Sequence, residues 1–180
     1  DVLPLLAALP DVRLIRQDRA HTLDAGTFRP TANVAGELLW NIQRVGADLA
    51  WSRLGLDGHG TVIAVLDTGA DWQHPALRAS YRGYTDKGLV NHRGNWFCAT
   101  NEGFLYPGDN VGHGTHVLGT IVGAEGLGIA PGARWIAIKV FDGQGLTYDS
   151  WLHAAFQWVL APEGDATLAP DIVNCSWGSE

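Results

Sequence analysis

The aliphatic and β-branched run at residues 61–66, which stops on Asp67, constrains the fold more than any other feature of the sequence. A continuous apolar run of this length is typical of a parallel strand that is buried on both faces. Similar strands are predicted at residues 135–141 and 171–176, with helices at 113–122 and 148–160. Strands that alternate with helices predict an α/β fold with a parallel sheet and right-handed crossovers.

The first 60 residues are less regular. The sequence predicts a short helix near residues 5–9, a turn at Pro10 and a strand at 12–15. Small and polar residues then predict a connecting segment over residues 21–36. A helix of two to three turns is predicted over 46–54, and the Gly-rich residues 55–60 end it.

Composition excludes several classes of function. The 180 residues carry a formal net charge of −7, which argues against a nucleic-acid partner. No apolar run reaches the ~18 residues that would indicate a membrane span. The sequence contains no methionine, so we interpret it as a processed product or an excised piece. Cys98 and Cys175 match no zinc or redox motif, and two free thiols are favoured over a disulfide.

In parallel sheets, functional side chains gather at the carboxyl ends of the strands. Asp67 occupies such a strand end, where it either accepts backbone hydrogen bonds or takes part in catalysis. The Asp-Thr-Gly triplet that begins at Asp67 is also the signature of aspartic peptidases. Those enzymes pair two carboxylates on an all-β fold, and the predicted helices contradict that interpretation.

Two histidines, His113 and His116, lie at the predicted start of a helix. Their spacing of three places both on one helix face, where they could bind a metal, but no acidic third ligand follows at helical spacing. The alternative is that one of them is a general base oriented by Asp67. For His116, a packed and hydrogen-bonded histidine remains a third interpretation.

The segment around Asp67 and the stretch HGTHVLGT from His113 resemble the aspartate and histidine motifs of subtilisin-like serine peptidases. Residues 128–133 resemble that family's Gly-Val-Ala-Pro turn, and residues 174–178 resemble its Asn-x-Ser-x-Gly strand. The resemblance implies a doubly wound parallel sheet, incomplete in this chain. It also implies a serine endopeptidase with an Asp-His-Ser triad, in which Asp67 orients His113 and His113 is the general base.

The resemblance also implies which residues contact an extended polypeptide substrate. Two segments would flank the substrate as added strands, namely Gly143, Gln144 and Gly145 on one side and Ser176, Trp177 and Gly178 on the other. Trp177 either lines a distal side-chain pocket or simply packs. Asp109 either receives a basic residue of the substrate or is a solvated loop carboxylate, and the second interpretation is favoured.

In the resembled family, the nucleophilic serine and the oxyanion-hole asparagine come from segments that would follow residue 180. Neither Ser176 nor Ser179 occupies a suitable turn, so we expect the chain alone to be inactive. We also expect its open sheet edge to make it aggregate, self-associate or depend on the rest of the protein. A degenerate subtilisin-like protein that binds peptides without cutting them is the alternative function.

Calcium is not expected at the family's common tight site. Residues 121–128 are too short for the loop that forms it, and Ala76 stands where the family has an aspartate. No cofactor or metal ligand is therefore assigned, although calcium elsewhere stays open. Residues 81–110 are interpreted as a surface insertion near the cleft.

The resemblance divides the chain into three parts. Residues 1–23 resemble the C-terminal tail of an inhibitory propeptide, with an ordinary N-terminal helix and strand as the alternative. Residues 24–44 are predicted to form a connecting segment between the propeptide tail and the catalytic domain. The processing site is predicted between Thr22 and Leu39. Residues 45–180 would form the N-terminal half of the catalytic domain. The implied partners are the polypeptide substrate and the chain's own propeptide, and the implied location is secreted or extracellular.

Overall fold

A computed structural model describes residues 2–24, 38–85 and 87–178. The helices are α1 (Leu3–Ala7), α2 (Trp40–Val45), α3 (Ala47–Leu49), α4 (Pro75–Arg78), α5 (His113–Val122) and α6 (Asp149–Leu160). The strands are β1 (Ala20–Thr22), β2 (Val62–Asp67), β3 (Trp96–Cys98), β4 (Arg134–Lys139), β5 (Leu146–Tyr148) and β6 (Ile172–Asn174). A π-helical turn follows α3 at Ala50–Leu54, and two 3₁₀ turns, Pro162–Gly164 and Ala166–Leu168, follow α6.

Four strands form a parallel sheet in the order β3-β4-β2-β6. Its two faces carry separate apolar clusters, as expected for a sheet with helices on both sides. Leu118 and Val122 of α5 belong to one cluster, and Ala155 and Val159 of α6 belong to the other. The predicted α/β fold with a doubly wound parallel sheet is confirmed.

The register of the sheet sets which side chains meet at its carboxyl edge. Asp67 at the end of β2 lies beside Lys139 at the end of β4. Both side chains are fully buried, in strands whose other residues are almost all apolar. The sheet therefore carries two opposite charges at one edge, and polar groups from the following loops must satisfy them.

The segment predicted as a surface insertion, residues 81–110, is partly structural. Its strand β3 pairs with β4, and Trp96 is buried in the core. The Arg82 guanidinium donates hydrogen bonds to the carbonyl groups of Gly94 (2.6 Å) and Leu168 (2.9 Å). The insertion interpretation is therefore wrong for β3, because this strand forms one edge of the main sheet.

The N-terminal segment differs from its prediction. The predicted strand at residues 12–15 does not form, and β1 lies further along the chain, where it pairs antiparallel with β5. Helix α2 begins at Trp40, inside the predicted connecting segment of residues 24–44. Most of the region predicted to contain the processing site lies outside the described residues.

Strand β6 lies at the other edge of the sheet and pairs with β2 on one side. The structure describes no strand on its other side, and Ile172 and Val173 are 51% and 40% exposed. This open apolar edge is what the sequence predicts for an incomplete sheet, and self-association stays a prediction. Cys98 is half-buried and Cys175 is exposed, and both are free thiols in the structure. None of the described helices is long and apolar enough to span a bilayer.

Candidate active site

The end of β2 and the start of α5 bring Asp67 and His113 together. The Nδ1 atom of His113 lies 2.7 Å from Oδ1 of Asp67, a hydrogen-bonding distance. The Asp67 side chain is fully buried, whereas that of His113 is 14% exposed. Because Asp67 engages Nδ1, the second ring nitrogen, Nε2, is the one left for a reacting group. This pairing supports the general-base interpretation of His113.

Glycine lets α5 approach the end of β2 closely. A Cβ atom on Gly114 would collide with the carbonyl oxygen of Gly69 and would lie 3.1 Å from the Cβ of Asp67. The Gly114 N–H also donates a 2.9 Å hydrogen bond to Oγ1 of Thr68. The position next to His113 therefore has to be glycine for the histidine to reach Asp67.

Asp67 is held in an unusual electrostatic environment. Burial raises the pKa of its carboxyl group, and the hydrogen bonds that Oδ1 accepts from His113 and the Thr68 N–H oppose that shift. Its other oxygen, Oδ2, is buried and has no hydrogen-bond partner among the described residues. A buried carboxylate at this position fixes the orientation of the neighbouring imidazole.

Asp109 clamps the loop that precedes α5. Its Oδ1 accepts hydrogen bonds from Thr68 Oγ1 and from the N–H groups of Val111 and Gly112, and its Oδ2 accepts two from Thr115. Burial alone would raise the pKa of Asp109, but these hydrogen bonds outweigh it and lower the pKa. The solvated-loop interpretation of Asp109 is therefore wrong, because its oxygens join β2 to α5.

Lys139 is a further site residue that the sequence analysis missed. Its Nζ atom donates to the Thr68 carbonyl (2.7 Å) and to Oδ1 of Asn110 (2.8 Å), and it lies 3.1 Å from Oε2 of Glu102. The one available signal was a lysine at the end of an otherwise apolar strand. Glu102 carried no signal, because its role depends on a contact with a strand 37 positions away.

The turn between β4 and β5 carries Gly143, Gln144 and Gly145. The Gly143 N–H donates to Oε1 of Glu102, and the Gln144 N–H donates to Oδ1 of Asp142. The Gly145 carbonyl accepts a 2.7 Å hydrogen bond from the N–H of Leu23. An extended backbone from the N-terminal segment therefore lies against Gly145 and β5, the edge predicted to bind a polypeptide.

Two side chains of the N-terminal segment fasten it to α6. Asp18 accepts hydrogen bonds from the N–H (2.9 Å) and Oγ (2.7 Å) of Ser150. The Nε2 atom of His21 lies 2.8 Å from Oδ1 of Asp149. Because Tyr148, the residue at the N-cap of α6, forms no side-chain capping bond, Asp18 supplies the cap from outside the helix.

The second predicted substrate segment follows β6. Ser176 and Gly178 are exposed, and Ser176 Oγ accepts a hydrogen bond from Nδ2 of Asn174. The indole of Trp177 donates to the Leu66 carbonyl (2.6 Å) and contacts the Phe141 ring edge-on at 5.6 Å. Trp177 thus packs on the apolar cluster beneath α6, and a pocket-lining role for it stays a prediction. Ser179 lies outside the described residues.

Two other interpretations of these residues lose support. The parallel sheet and the pairing of Asp67 with a histidine contradict the aspartic-peptidase interpretation. Within the part of the chain that the structure describes, no group of three or more His, Cys, Asp or Glu side chains is arranged to hold a metal ion. The metal interpretation of His113 and His116 therefore has no third ligand to support it.

Comparison with known proteins gives consistent matches. The family model described as the subtilase family matches residues 58–180. In an alignment of 151 positions that covers 77% of the chain, it is 46% identical to bacillopeptidase F of Bacillus subtilis. It is 35% identical to subtilisin-like protease SBT6.1 of Arabidopsis thaliana over 86% of the chain, and 32% identical to the intracellular serine protease of Paenibacillus polymyxa over 72%. The chain spans only 10%, 13% and 37% of the lengths of these three relatives.

Proposed function

The chain belongs to the subtilase family, and we propose that it forms the N-terminal part of the catalytic domain of a serine endopeptidase. The single observation that carries this proposal is the 2.7 Å contact between His113 Nδ1 and the buried carboxylate of Asp67. The substrate is an extended polypeptide, and the nucleophilic serine lies outside this chain. Alone, the chain has no nucleophile to activate and is inactive.

The proposed mechanism uses the two ring nitrogens of His113 differently. Nε2 removes the proton from the serine hydroxyl as its oxygen attacks the scissile carbonyl carbon. Asp67 accepts a hydrogen bond from the Nδ1–H group of His113 and stabilises the imidazolium that forms when Nε2 takes up the proton. His113 then gives the proton to the departing amine, and an acyl-enzyme remains. Water deprotonated by His113 hydrolyses this ester and restores the serine.

The proposed substrate site consists of the two segments predicted from the sequence. Gly143, Gln144 and Gly145 bind one side of the extended chain, and Ser176, Trp177 and Gly178 bind the other. The pairing of β1 with β5, continued by the hydrogen bond from Leu23 to Gly145, supports this assignment for the first segment. In this pairing β1 adds to β5 as an antiparallel strand, as an extended substrate would in the proposed site.

We infer that residues 1–23 are the tail of an inhibitory propeptide. The support is their position, because β1 lies at the edge proposed for substrate and Asp18 caps α6. A segment held in this way competes with substrate until it is cut and released. The propeptide is then the chain's own partner, and a secreted zymogen is the corresponding biological form. We propose no nucleic-acid or membrane partner.

The residues present do not fit a calcium ion at the family's common tight site. The turn after α5 folds back on the helix, where the N–H groups of Gly128, Ile129 and Ala130 donate to the carbonyl groups of residues 123, 120 and 121. These carbonyl groups are thus already engaged, and Ala76 has no oxygen in its side chain. We therefore derive no catalytic or binding step through calcium.

Hydrolysis of unfolded casein by the full-length protein tests the function. The matched set is wild type, His113→Ala, Asp67→Asn and, as control, His59→Ala, which alters an exposed histidine outside the site. We expect kcat to fall by about 10⁴-fold or more in the first two variants and to be unchanged in the control. Peptide binding without any hydrolysis would instead support the degenerate, non-cutting alternative.

A further inference from the structure

A cavity lies beside the dyad, where the turn after β2 faces the loop before α5. Its volume is about 560 Å³, within the usual range for small-ligand pockets. Its walls include the side chains of Asp71, Trp72, His92, Tyr106 and Asp109. Neither Asp67 nor His113 is among the residues that line it.

Aromatic rings form one wall of this cavity. The ring of His92 packs edge-on against Trp72 at 5.3 Å and lies 6.2 Å from the ring of Tyr106. Tyr81, which is fully buried, fixes this wall, because its hydroxyl lies 3.1 Å from Nδ1 of His92 and its ring contacts Trp72. The rings are therefore held in place and can contact a ligand at little cost in conformational entropy.

The charge of the cavity is negative. Asp71 is exposed, and its Oδ1 accepts a single hydrogen bond, from the Gln73 N–H. Asp109 adds a second carboxylate, and its low pKa keeps it ionised. Burial lowers the pKa of His92, so that at neutral pH its ring is uncharged and does not oppose a cation. No Lys or Arg is among the described residues that line the cavity.

An aromatic wall beside a carboxylate is the combination that binds a guanidinium group, which stacks on rings and pairs with carboxylates. We propose that this cavity binds an arginine side chain of the polypeptide substrate, with Asp71 as the charge partner and Trp72 and Tyr106 as the stacking surface. This inference rests on the proposed function, since it names part of the substrate of the same site.

The position of the cavity determines which substrate residue it binds. Asp109, on the cavity wall, also accepts hydrogen bonds from the N–H of Gly112 and from Thr115, on either side of His113. A side chain in the cavity therefore comes from a residue close to the scissile bond. The cavity makes the endopeptidase selective for chains with arginine at that one position.

Paired peptides that carry arginine or citrulline at one position test the proposal, since citrulline has nearly the same shape and no charge. Cleavage by the full-length protein is measured as kcat/KM for each pair, with every position within three residues of the cut scanned in turn. Fluorescence anisotropy with the His113→Ala variant measures binding of the same labelled peptides without turnover. We expect a preference for arginine of about 10-fold or more at one position in both measurements.

Three variants assign that preference to the cavity. Asp71→Asn keeps an oxygen for the Gln73 N–H but removes the charge, and Tyr106→Leu removes an exposed ring. Either change should reduce the preference to about 2-fold or less, chiefly by lowering kcat/KM for the arginine peptides. Glu125→Gln, at an exposed carboxylate outside the cavity, should leave it unchanged.

Equal kcat/KM and equal binding for arginine and citrulline at all positions would overturn the cavity proposal. A preference that survives both Asp71→Asn and Tyr106→Leu would also overturn it. If the full-length protein hydrolyses no peptide, the proposed function fails. The anisotropy measurement still decides the cavity, because binding that depends on arginine and on Asp71 requires no catalysis.

Discussion

The ammonium group of Lys139 lies 3.1 Å from the carboxylate of Glu102, and this ion pair joins the core of the sheet to the substrate edge. Lys139 is fully buried, next to Asp67 in the sheet register. The other oxygen of Glu102 accepts hydrogen bonds from the Gly143 N–H and from Nδ2 of Asn110. A single carboxylate thus links the strand end beside the dyad to the turn proposed to bind substrate.

Replacing Glu102 with glutamine should destabilise the protein and weaken substrate binding. One of its two oxygens becomes an NH₂ group that faces a donor, either Lys139 or Gly143. We expect about 1.5 kcal/mol less free energy of unfolding in urea, at the low end for bonds to charged groups because Glu102 is partly exposed. KM should rise. An unchanged free energy of unfolding and an unchanged KM would show that the ion pair neither stabilises the protein nor positions the turn proposed to bind substrate.

A methyl group at position 114 should separate the dyad. In Gly114→Ala the new Cβ meets the Gly69 carbonyl oxygen, a backbone atom that cannot move aside easily. Overpacking of this kind typically costs about 1–3 kcal/mol. A displacement of His113 from Asp67 by about 1 Å should lower kcat by about 100-fold. Thermal unfolding and casein hydrolysis by the full-length protein measure the two effects.

Gly119→Ala is the matched control, because it makes the same change in the same helix. Among the described residues, no atom other than those of the neighbouring helix backbone lies within 4 Å of a Cβ built at Gly119, so the methyl group meets no packed side chain or loop. Alanine is a better helix former than glycine by about 1 kcal/mol, and this variant should be as stable as wild type or more so. Equal losses in both variants would contradict the close-approach explanation.

The stability provided by Asp109 should depend on pH. Its pKa is lower in the folded protein than in the unfolded chain, so its contribution is fully present above the unfolded value near 4. It is lost as the pH falls through the folded pKa. Asp109→Asn places an NH₂ group against these donors and should cost about 1–3 kcal/mol at pH 7. The difference in free energy of unfolding from wild type should shrink below pH 4, and a constant difference down to pH 2 would contradict the account.

A synthetic peptide of residues 1–24 should inhibit the processed full-length enzyme. Asp18→Ala in the peptide removes the cap on α6 and should raise the inhibition constant by about 2- to 30-fold. Asp11→Ala is the matched control, since Asp11 is an exposed aspartate of the same segment and should not matter. Equal inhibition constants for the two variant peptides would refute the docked arrangement of β1 and α6.

Strands β2, β4 and β6 and helices α5 and α6 were predictable because each carries its own local pattern. The apolar run into β2 and the apolar stripe of α6 need no knowledge of distant residues. Strand β3 was missed because its three residues lie in a Gly- and Asn-rich segment without alternation. Strand β1 was misplaced because its pairing with β5 is set by a partner about 126 positions away.

The site residues also fall into two groups, those identified from a local motif and those whose role depends on contacts made only in the folded chain. Asp67 and His113 were identified because each lies in a distinctive motif, and the structure places them in contact. Asp109 was misjudged because five hydrogen bonds to residues from Thr68 to Thr115 appear only in the folded chain. The partners of Lys139 come from two separate segments, one after β2 and one between β3 and α5, so the sequence alone could not reveal why a lysine ends a buried strand.

Covalent labelling with a serine-directed fluorophosphonate tests the central claim, that Asp67 and His113 activate a serine outside this chain. The full-length protein, freed of its propeptide, is labelled and the modified residue is located by mass spectrometry. The account predicts one modified serine beyond residue 180, with labelling abolished in His113→Ala and strongly reduced in Asp67→Asn. A protein that is not labelled, or labelling that persists without His113, would contradict it.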